Sequence, residues 1–338
     1  MVLNRQIVLA RRPEGMVEAD CFESRSSEVP EPENGQALVR VLYVAIDPGI
    51  RSWIDKRGAG YLPAVGIGET VRAAGIGQVI ATRSETLPMG ALVTALTGWQ
   101  DYAIVGSDFA DLPRLGSALP DGVDPVSAVS VFGQAANTAY AGIERVAEPQ
   151  PGETMLVSAA ASAVGSLAGQ IAKIRGARVI GTAGSAEKCR WVVDDLGFDA
   201  CIDYKREDVA ARVKELCPKG VDIFFDNVGG ELLDTMLRRM AHQGRVILCG
   251  SLSTDNGSEP YRLRHYDRLM SRRATMSGFN VLDHWDLFPE SLKQVTEWVE
   301  SGRIQYRTHV LDGLESCPEA LLRLYSGDHL GKLVVKVA

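Results

Sequence analysis

The chain has 338 residues, of which 46% are hydrophobic and 23% charged, with a formal net charge of -7 at pH 7. This is the profile of a soluble globular protein with room for two domains. The acidic balance gives no basic surface for nucleic acid, and no apolar run approaches the roughly 18 residues of a membrane span.

The N-terminal residues Met1 to Arg5 carry no export core. Six cysteines are scattered without a C-x-x-C pair and without a His at zinc-ligand spacing, so no metal is expected and a reducing, cytoplasmic compartment is.

Residues 1–125 read as β-rich. Strands are expected at 37–44, 76–81 and 91–96, with Gly and Pro recurring between them. Short strands with frequent turns predict a compact antiparallel barrel. The pattern changes near residue 125, where a small-residued helix is expected from Val126 to about Asn137.

From there strands and helices alternate. Strands are expected at 154–158, 178–181, 200–202, 222–226, 245–249 and 274–279. Helices are expected at 164–175, 187–196, 209–216 and 232–240. Such alternation predicts a parallel sheet covered by helices on both faces. A long amphipathic helix follows at 290–300, and a closing strand at 333–337 suggests a return to the first domain.

The candidate chemistry centres on the stretch from Thr154 to Lys173. A strand, a turn of small residues and a helix start form the phosphate corner of a dinucleotide fold. The three fingerprint glycines would fall at Ala160, Ser162 and Gly165, and only the last is glycine. After the next strand, where NAD enzymes place an acid for the ribose 2′-hydroxyl, the chain reads Gly181-Thr182-Ala183-Gly184-Ser185. No carboxylate precedes Glu187, and Lys188 and Arg190 follow, which suits a 2′-phosphate and favours NADP over NAD. Asp226-Asn227-Val228-Gly229-Gly230 and Cys249-Gly250-Ser251 end two further strands, where loops either line a ligand crevice or serve as ordinary turns.

With those pieces placed, nearly the whole chain resembles the medium-chain dehydrogenase/reductase superfamily. More narrowly it is similar to the zinc-free, NADPH-dependent alkenal/one reductases, the prostaglandin reductase-like and curcumin reductase-like groups. The resemblance rests on Ala45-Ile46-Asp47-Pro48 with Arg51, Gly98-Trp99-Gln100-Asp101-Tyr102, Thr138-Ala139-Tyr140 and the stretch Ala159 to Ser166. It continues through Ala183 to Lys188, Asp203-Tyr204-Lys205, Phe225 to Gly230, Gly278-Phe279 and Gly327 to Lys332.

The resemblance implies an α/β fold: a GroES-like β-rich domain built from both chain ends (1–125 and 303–338), with a Rossmann doubly wound domain (126–302) inserted. It implies that Ser162, Ala163, Val164 and Gly165 hold the pyrophosphate, and that Gly184, Lys188 and Tyr204 surround the adenosine 2′-phosphate. Asn227, the run Cys249, Gly250 and Ser251, the run Phe279, Asn280 and Val281, and His329 match cofactor-lining positions. Tyr266 matches a tyrosine near the substrate carbonyl and is the candidate catalytic donor, in a charged segment (Arg262 to Arg273) expected to be mobile. A homodimer is the family expectation.

Four positions depart from the family pattern: Ser162 for glycine, Gly49 for a pocket aromatic, His329 for Asn, and Asn137 for an apolar residue. A side-chain amide at Asn137 would be either a substrate contact or a satisfied buried amide. Gly49, Asn137 and the loop 253–268 are the expected determinants of substrate choice.

The implied reaction is hydride transfer from NADPH to the β-carbon of an α,β-unsaturated ketone or aldehyde. Quinone reduction and a non-catalytic NADPH-binding role are the alternatives. A zinc alcohol dehydrogenase is disfavoured, because residues 1–125 hold one cysteine, Cys21, and no histidine.

Overall fold

The structure is a computed structural model that describes residues 2–106, 116–120, 122–254 and 261–338. The chain forms two compact units, Met1–Gly133 with Thr308–Ala338, and Gln134–Arg307. Each is built around its own apolar core.

The first unit opens with β1 (Leu3–Leu9) and β2 (Phe22–Glu28), an antiparallel pair. Then come β3 (Gln36–Ala45), the short helix α1 (Gly49–Trp53), β4 (Gly75–Thr82), β5 (Leu92–Ala95), β6 (Tyr102–Gly106), β7 (Gly116–Ala118) and α2 (Pro125–Val129).

The second unit begins with α3 (Gln134–Ala141). It continues β8 (Thr154–Val157), α4 (Ala163–Ile174), β9 (Arg178–Ala183), α5 (Ala186–Arg190), β10 (Ala200–Asp203), α6 (Val209–Leu216), β11 (Val221–Asp226), α7 (Gly230–Leu237) and β12 (Met240–Leu248). It closes with α8 (Arg268–Arg272), β13 (Thr275–Gly278) and α9 (Phe288–Glu300). The chain then returns to the first unit with β14 (Thr308–Asp312), α10 (Cys317–Ser326) and β15 (Lys332–Lys336).

In the second unit the sheet order is β10-β9-β8-β11-β12-β13, all parallel. Numbered from β8, this is the 3-2-1-4-5-6 order of a doubly wound dinucleotide fold, with its switch point between β8 and β11. Met155, Leu156, Val157, Ile223, Phe224 and Phe225 are all fully buried. A sheet covered on both faces explains why these strands read as unbroken apolar runs.

In the first unit β3 is the hub. It pairs with β4 and β6, and its end pairs with β15. The closing strand therefore joins the sheet of the first residues. The expected antiparallel barrel needs correction: among the described residues the hydrogen-bonded path β14-β15-β3-β4-β5-β7 is open, and its β14–β15 pair is parallel. The β1–β2 pair stands apart, tied on by single bridges at Gln6–Gln100 and Val8–Thr70.

Two helix expectations also change. The run from Val126 is two helices, α2 and α3, broken at Ser130. Its hydroxyl bonds back to Val126 O at 2.7 Å and its ψ is -86, outside the helical range. Met240 belongs to a strand, not to the end of α7. It pairs with Val221 and is 1% exposed, so burial overrides its helix propensity.

Candidate cofactor site

The corner after β8 is tight. The left-handed residue is Ala159, with φ of 50, one position before the expected turn at Ala160. Ala160 N–H donates to Thr182 O at 2.9 Å and so ties the turn to β9. Ser162 is the N-cap of α4, and its Oγ accepts the Gly165 N–H at 3.1 Å. A serine there is explained by capping, for which serine ranks among the best residues. The N–H groups of Ala163 and Val164, at the first two positions of α4, have no acceptor within the helix. They stand at the positive end of the helix, where phosphate is favoured.

Close packing explains the glycines that remain. A Cβ on Gly165 would stand 2.3 Å from Ala159 O, and one on Gly169 would stand 1.9 Å from Phe198 Cζ. Both distances are impossible, so α4 comes this close to the Ala159 turn and the Phe198 ring only because these residues lack side chains.

At the ends of β9 and β10, Ser185 caps α5 by accepting Lys188 N–H at 3.2 Å. Lys188 is half-buried. Tyr204 lies over Gly184, with its hydroxyl 2.8 Å and Lys205 Cε 3.3 Å from the place a Gly184 Cβ would take. Tyr204 is 51% exposed. Gly184, Lys188 and Tyr204 are thus brought to one corner, joined by Lys205.

The loops after β11 and β12 are organised by Asp226, a residue that sequence reasoning did not single out. It is fully buried, and its Oδ1 accepts from Ser158 Oγ at 2.9 Å and from the N–H groups of Val228 and Gly229 at 3.0 Å each. Burial pushes the Asp226 carboxyl up, opposed by the N–H groups of Gly229 and Val228 and the Ser158 hydroxyl. Asn227 donates its N–H to Ser158 Oγ at 2.7 Å and its side-chain Nδ2 to Ser158 O at 2.8 Å. The backbone O of Asp226 accepts Cys249 N–H at 2.8 Å and Gly250 N–H at 3.0 Å. Ser158, Asn227 and the Cys249–Ser251 loop therefore form one hydrogen-bonded rim at the carboxyl end of the sheet. The signal was an Asp ahead of Asn-x-Gly-Gly at a strand end, the pattern of a side chain that bonds the turn behind it.

Phe279 follows β13 and meets Phe225 edge-on, with ring centroids 6.4 Å apart. Asn280 caps the short turn that begins at Val281, its Oδ1 accepting Leu282 N–H at 3.0 Å. Asn137, on α3, is 1% exposed. Neither of its polar side-chain atoms has a hydrogen-bond partner among the described residues, so the expectation of a satisfied buried amide is not met.

Tyr266 lies just before α8 and is 65% exposed. The backbone just before it is tied to α7. Asp234 of α7 accepts the N–H groups of Arg264 at 2.7 Å and His265 at 2.9 Å, and its Oδ2 meets His265 Nδ1 at 2.8 Å. Burial raises the Asp234 carboxyl, but the His265 N–H, the His265 ring and the Arg264 N–H outweigh it and hold the group below its usual range. Of the loop 253–268, residues 255–260 lie outside the described residues.

Three predicted positions belong to the first unit. Gly49 opens α1, and a Cβ there would be 3.6 Å from Trp53 Cζ2, an ordinary contact. Asp47 forms an ion pair with Lys332, which is 5% exposed. His329 is half-buried in the loop between α10 and β15.

A six-stranded parallel sheet of this order, with a capped small-residue corner at its switch point, defines a dinucleotide-binding fold. The comparisons narrow the class. Residues 5–112 match the family model described as the N-terminal domain of oxidoreductase, and residues 163–301 match that of zinc-binding dehydrogenase. The chain is 35% identical to the NADPH-dependent curcumin reductase of Escherichia coli (strain K12), over 99% of this chain and 97% of that one. It is also 35% identical to the 2-alkenal reductase (NADP(+)-dependent) of Nicotiana tabacum, over 100% and 98%. The crystal structure of CurA from Vibrio vulnificus in complex with NADPH superposes with a TM-score of 0.91 at 37% identity, covering 99% of each chain. The chain belongs to the medium-chain dehydrogenase/reductase family, in its alkenal/one reductase group.

The zinc in the second model's description finds no fit here. Among the described residues no three His, Cys, Asp or Glu side chains group as metal ligands.

Proposed function

We infer that this protein is an NADPH-dependent reductase that saturates the C=C bond of α,β-unsaturated ketones and aldehydes, with hydride arriving at the β-carbon. The observation that carries this reading is full-length identity of 35% to both a curcumin reductase and a 2-alkenal reductase that use NADP. The capped corner and the acid-free end of β9 support the cofactor choice.

The Ala163 and Val164 N–H groups would hold the pyrophosphate at the α4 N-terminus. Lys188 and Tyr204 would hold the adenosine 2′-phosphate, with Gly184 leaving room for the Tyr204 ring. Asn227, Cys249, Gly250 and Ser251 would line the middle of the cofactor, and Phe279, Asn280 and Val281 its nicotinamide end. NADPH, when bound, supplies the hydride. The chain's own task is to place the substrate and stabilise the negative charge that grows on the carbonyl oxygen. Tyr266 is the proposed donor to that oxygen. The bonds that Asp234 makes to Arg264 and His265 fix the backbone beside it, while its ring stays exposed.

A second copy of the chain is proposed to pair along β13. This strand is the edge of the sheet, and all four of its residues are exposed. Unpaired edge strands invite such pairing. The six free thiols support a reducing, cytoplasmic compartment, and among the described residues no helix is long and apolar enough to cross a membrane.

The test is NADPH consumption with a panel of enones, enals and quinones. Turnover of the enones and enals to saturated carbonyl products supports the reading. Tight NADPH binding with no turnover of any of them contradicts it.

A further inference from the structure

All six thiols are free, and two of them face each other. Cys189 lies on α5, one residue after Lys188, and Cys201 is the second residue of β10. Their side chains are hydrogen-bonded to one another. Both residues are half-buried. The short helix packs on β9 and β10 together, so the contact is between two built elements and not between loops. The Cys201 sulfur also lies 3.4 Å from where a Gly181 Cβ would stand, so the thiol sits beneath α5 in space left by a glycine.

The remaining thiols are less suited to oxidation. Cys21, Cys217 and Cys317 are buried. Burial, with the Asp226 carboxylate behind it, pushes the Cys249 thiol up to about 12. Within the pair the two thiols differ. The bond to Cys189, then burial, pushes Cys201 up, whereas the bond donated by Cys201 holds Cys189 below the ordinary thiol value against its own burial. The thiolate is the reactive form, so Cys189 is the attacking sulfur.

We propose that Cys189 and Cys201 form a reversible disulfide on exposure to hydrogen peroxide, and that this bond weakens the hold of Lys188 on the cofactor's 2′-phosphate. The Cys189 thiolate attacks one peroxide oxygen. An S–O bond forms, the O–O bond breaks, and the released hydroxide takes up a proton and leaves as water. Cys201 then attacks the sulfenic sulfur. An S–S bond forms, the S–O bond breaks, and the second water carries away the Cys201 proton. Two thiols are oxidised and one peroxide is reduced to two waters.

A disulfide holds its sulfurs about 2.0 Å apart, closer than any thiol hydrogen bond. Closing it draws the first turn of α5, which runs on into a π-helical segment at Trp191–Asp195, toward β10. Lys188 stands next to the moving sulfur, and its N–H is the group that anchors α5 to Ser185. The regulatory half of the proposal rests on the assignment of Lys188 to the 2′-phosphate.

The full-length protein is treated with peroxide, alkylated and mapped by mass under non-reducing conditions, and its affinities for NADPH and NADH are measured before and after. The proposal expects one linked peptide joining Cys189 to Cys201. It also expects NADPH affinity to weaken about tenfold or more, as for loss of one charged hydrogen bond, with little change for NADH. Dithiothreitol restores the affinity, and prebound NADPH slows the oxidation. Cys201→Ala binds NADPH normally and keeps that affinity after peroxide, and Cys189→Ser also forms no linked peptide. Peroxide that takes both thiols to sulfinic acid with no linked peptide overturns the proposal. So does a linked peptide with unchanged NADPH affinity. The mass readout needs no cofactor. Lys188→Ala in the untreated protein tests the phosphate assignment separately, because equal loss of NADPH and NADH affinity there sinks that assignment and leaves the cross-link standing.

Discussion

The carbonyl oxygen of Ala159 lies 2.3 Å from the point that a Cβ on Gly165 would occupy. One contact thus explains why the third fingerprint position is the glycine that stays. Ala159 is already in the left-handed region, with φ of 50, so the corner has no slack on either side. Gly165→Ala is expected to push α4 off the turn. Overpacking of this kind destabilises by about 1–3 kcal/mol. The KM for NADPH should rise with it. A urea unfolding curve and initial rates check both, and an unchanged midpoint contradicts the packing argument.

Ser162→Gly is expected to be mild. The hydroxyl caps α4, and replacing a serine cap by glycine costs only a few tenths of a kcal/mol. The KM for NADPH should stay within about twofold, by the same estimate. A much larger loss would mean that the hydroxyl holds phosphate as well as Gly165.

Asp226→Asn should be costly for its size. The carboxylate accepts Ser158 Oγ and the N–H groups of Val228 and Gly229, and an amide nitrogen would face Gly229 N–H, which lies 3.0 Å from Oδ2. Leaving a buried donor unpaired costs about 1–3 kcal/mol. The wild-type group also has a pH signature. Its carboxyl is pushed up in the folded chain, so the folded state binds the proton more tightly than the unfolded state. Its contribution is therefore most favourable in acid and falls away as pH rises from the ordinary Asp value through the raised one. Unfolding free energies of wild type and Asp226→Asn should converge with rising pH across that window, because the wild type loses this contribution and the variant has none to lose, and a parallel pair of curves would contradict it.

Asn137→Leu is expected to stabilise. The amide is buried with both polar atoms unpaired, a state that costs about 1–3 kcal/mol per unsatisfied group. An apolar side chain of similar size removes the penalty. A higher melting temperature with unchanged turnover fits this view. A higher melting temperature with lost turnover of one enone class would assign the amide to substrate instead.

Tyr266→Phe tests the donor. Removing one hydrogen bond to a growing oxyanion lowers kcat by about 10²-fold in comparable sites. The KM for NADPH should not move, because Tyr266 is assigned to the carbonyl oxygen alone. An unchanged kcat removes Tyr266 from the chemistry.

Much of the second unit could be read from the sequence, because its strands are buried on both faces and appear as apolar runs bounded by turns. The strands at β8, β9, β10 and β11 fell close to their expected places for that reason. The first unit was less legible. Its β3 divides its partners between β4, β6 and β15, and no local pattern announces that a strand near residue 40 pairs with one near residue 334. The α2–α3 break was hidden because Ser130 ends a helix by a side-chain bond to Val126, a choice of partner that composition does not show. At the site, Lys188 stood out by residue type, and Tyr204 by the family resemblance alone. Ser158 and Asp226 did not, since their role is to hold a rim that becomes visible only when the ends of β8 and β11 lie side by side.

The central claim is reduction of an enone C=C bond by hydride from NADPH. The most direct measurement supplies NADPH carrying deuterium as its transferable hydride, with an enone, and locates the label in the product. The account predicts a saturated ketone with deuterium on the β-carbon. Deuterium on the carbonyl carbon of an allylic alcohol would contradict it.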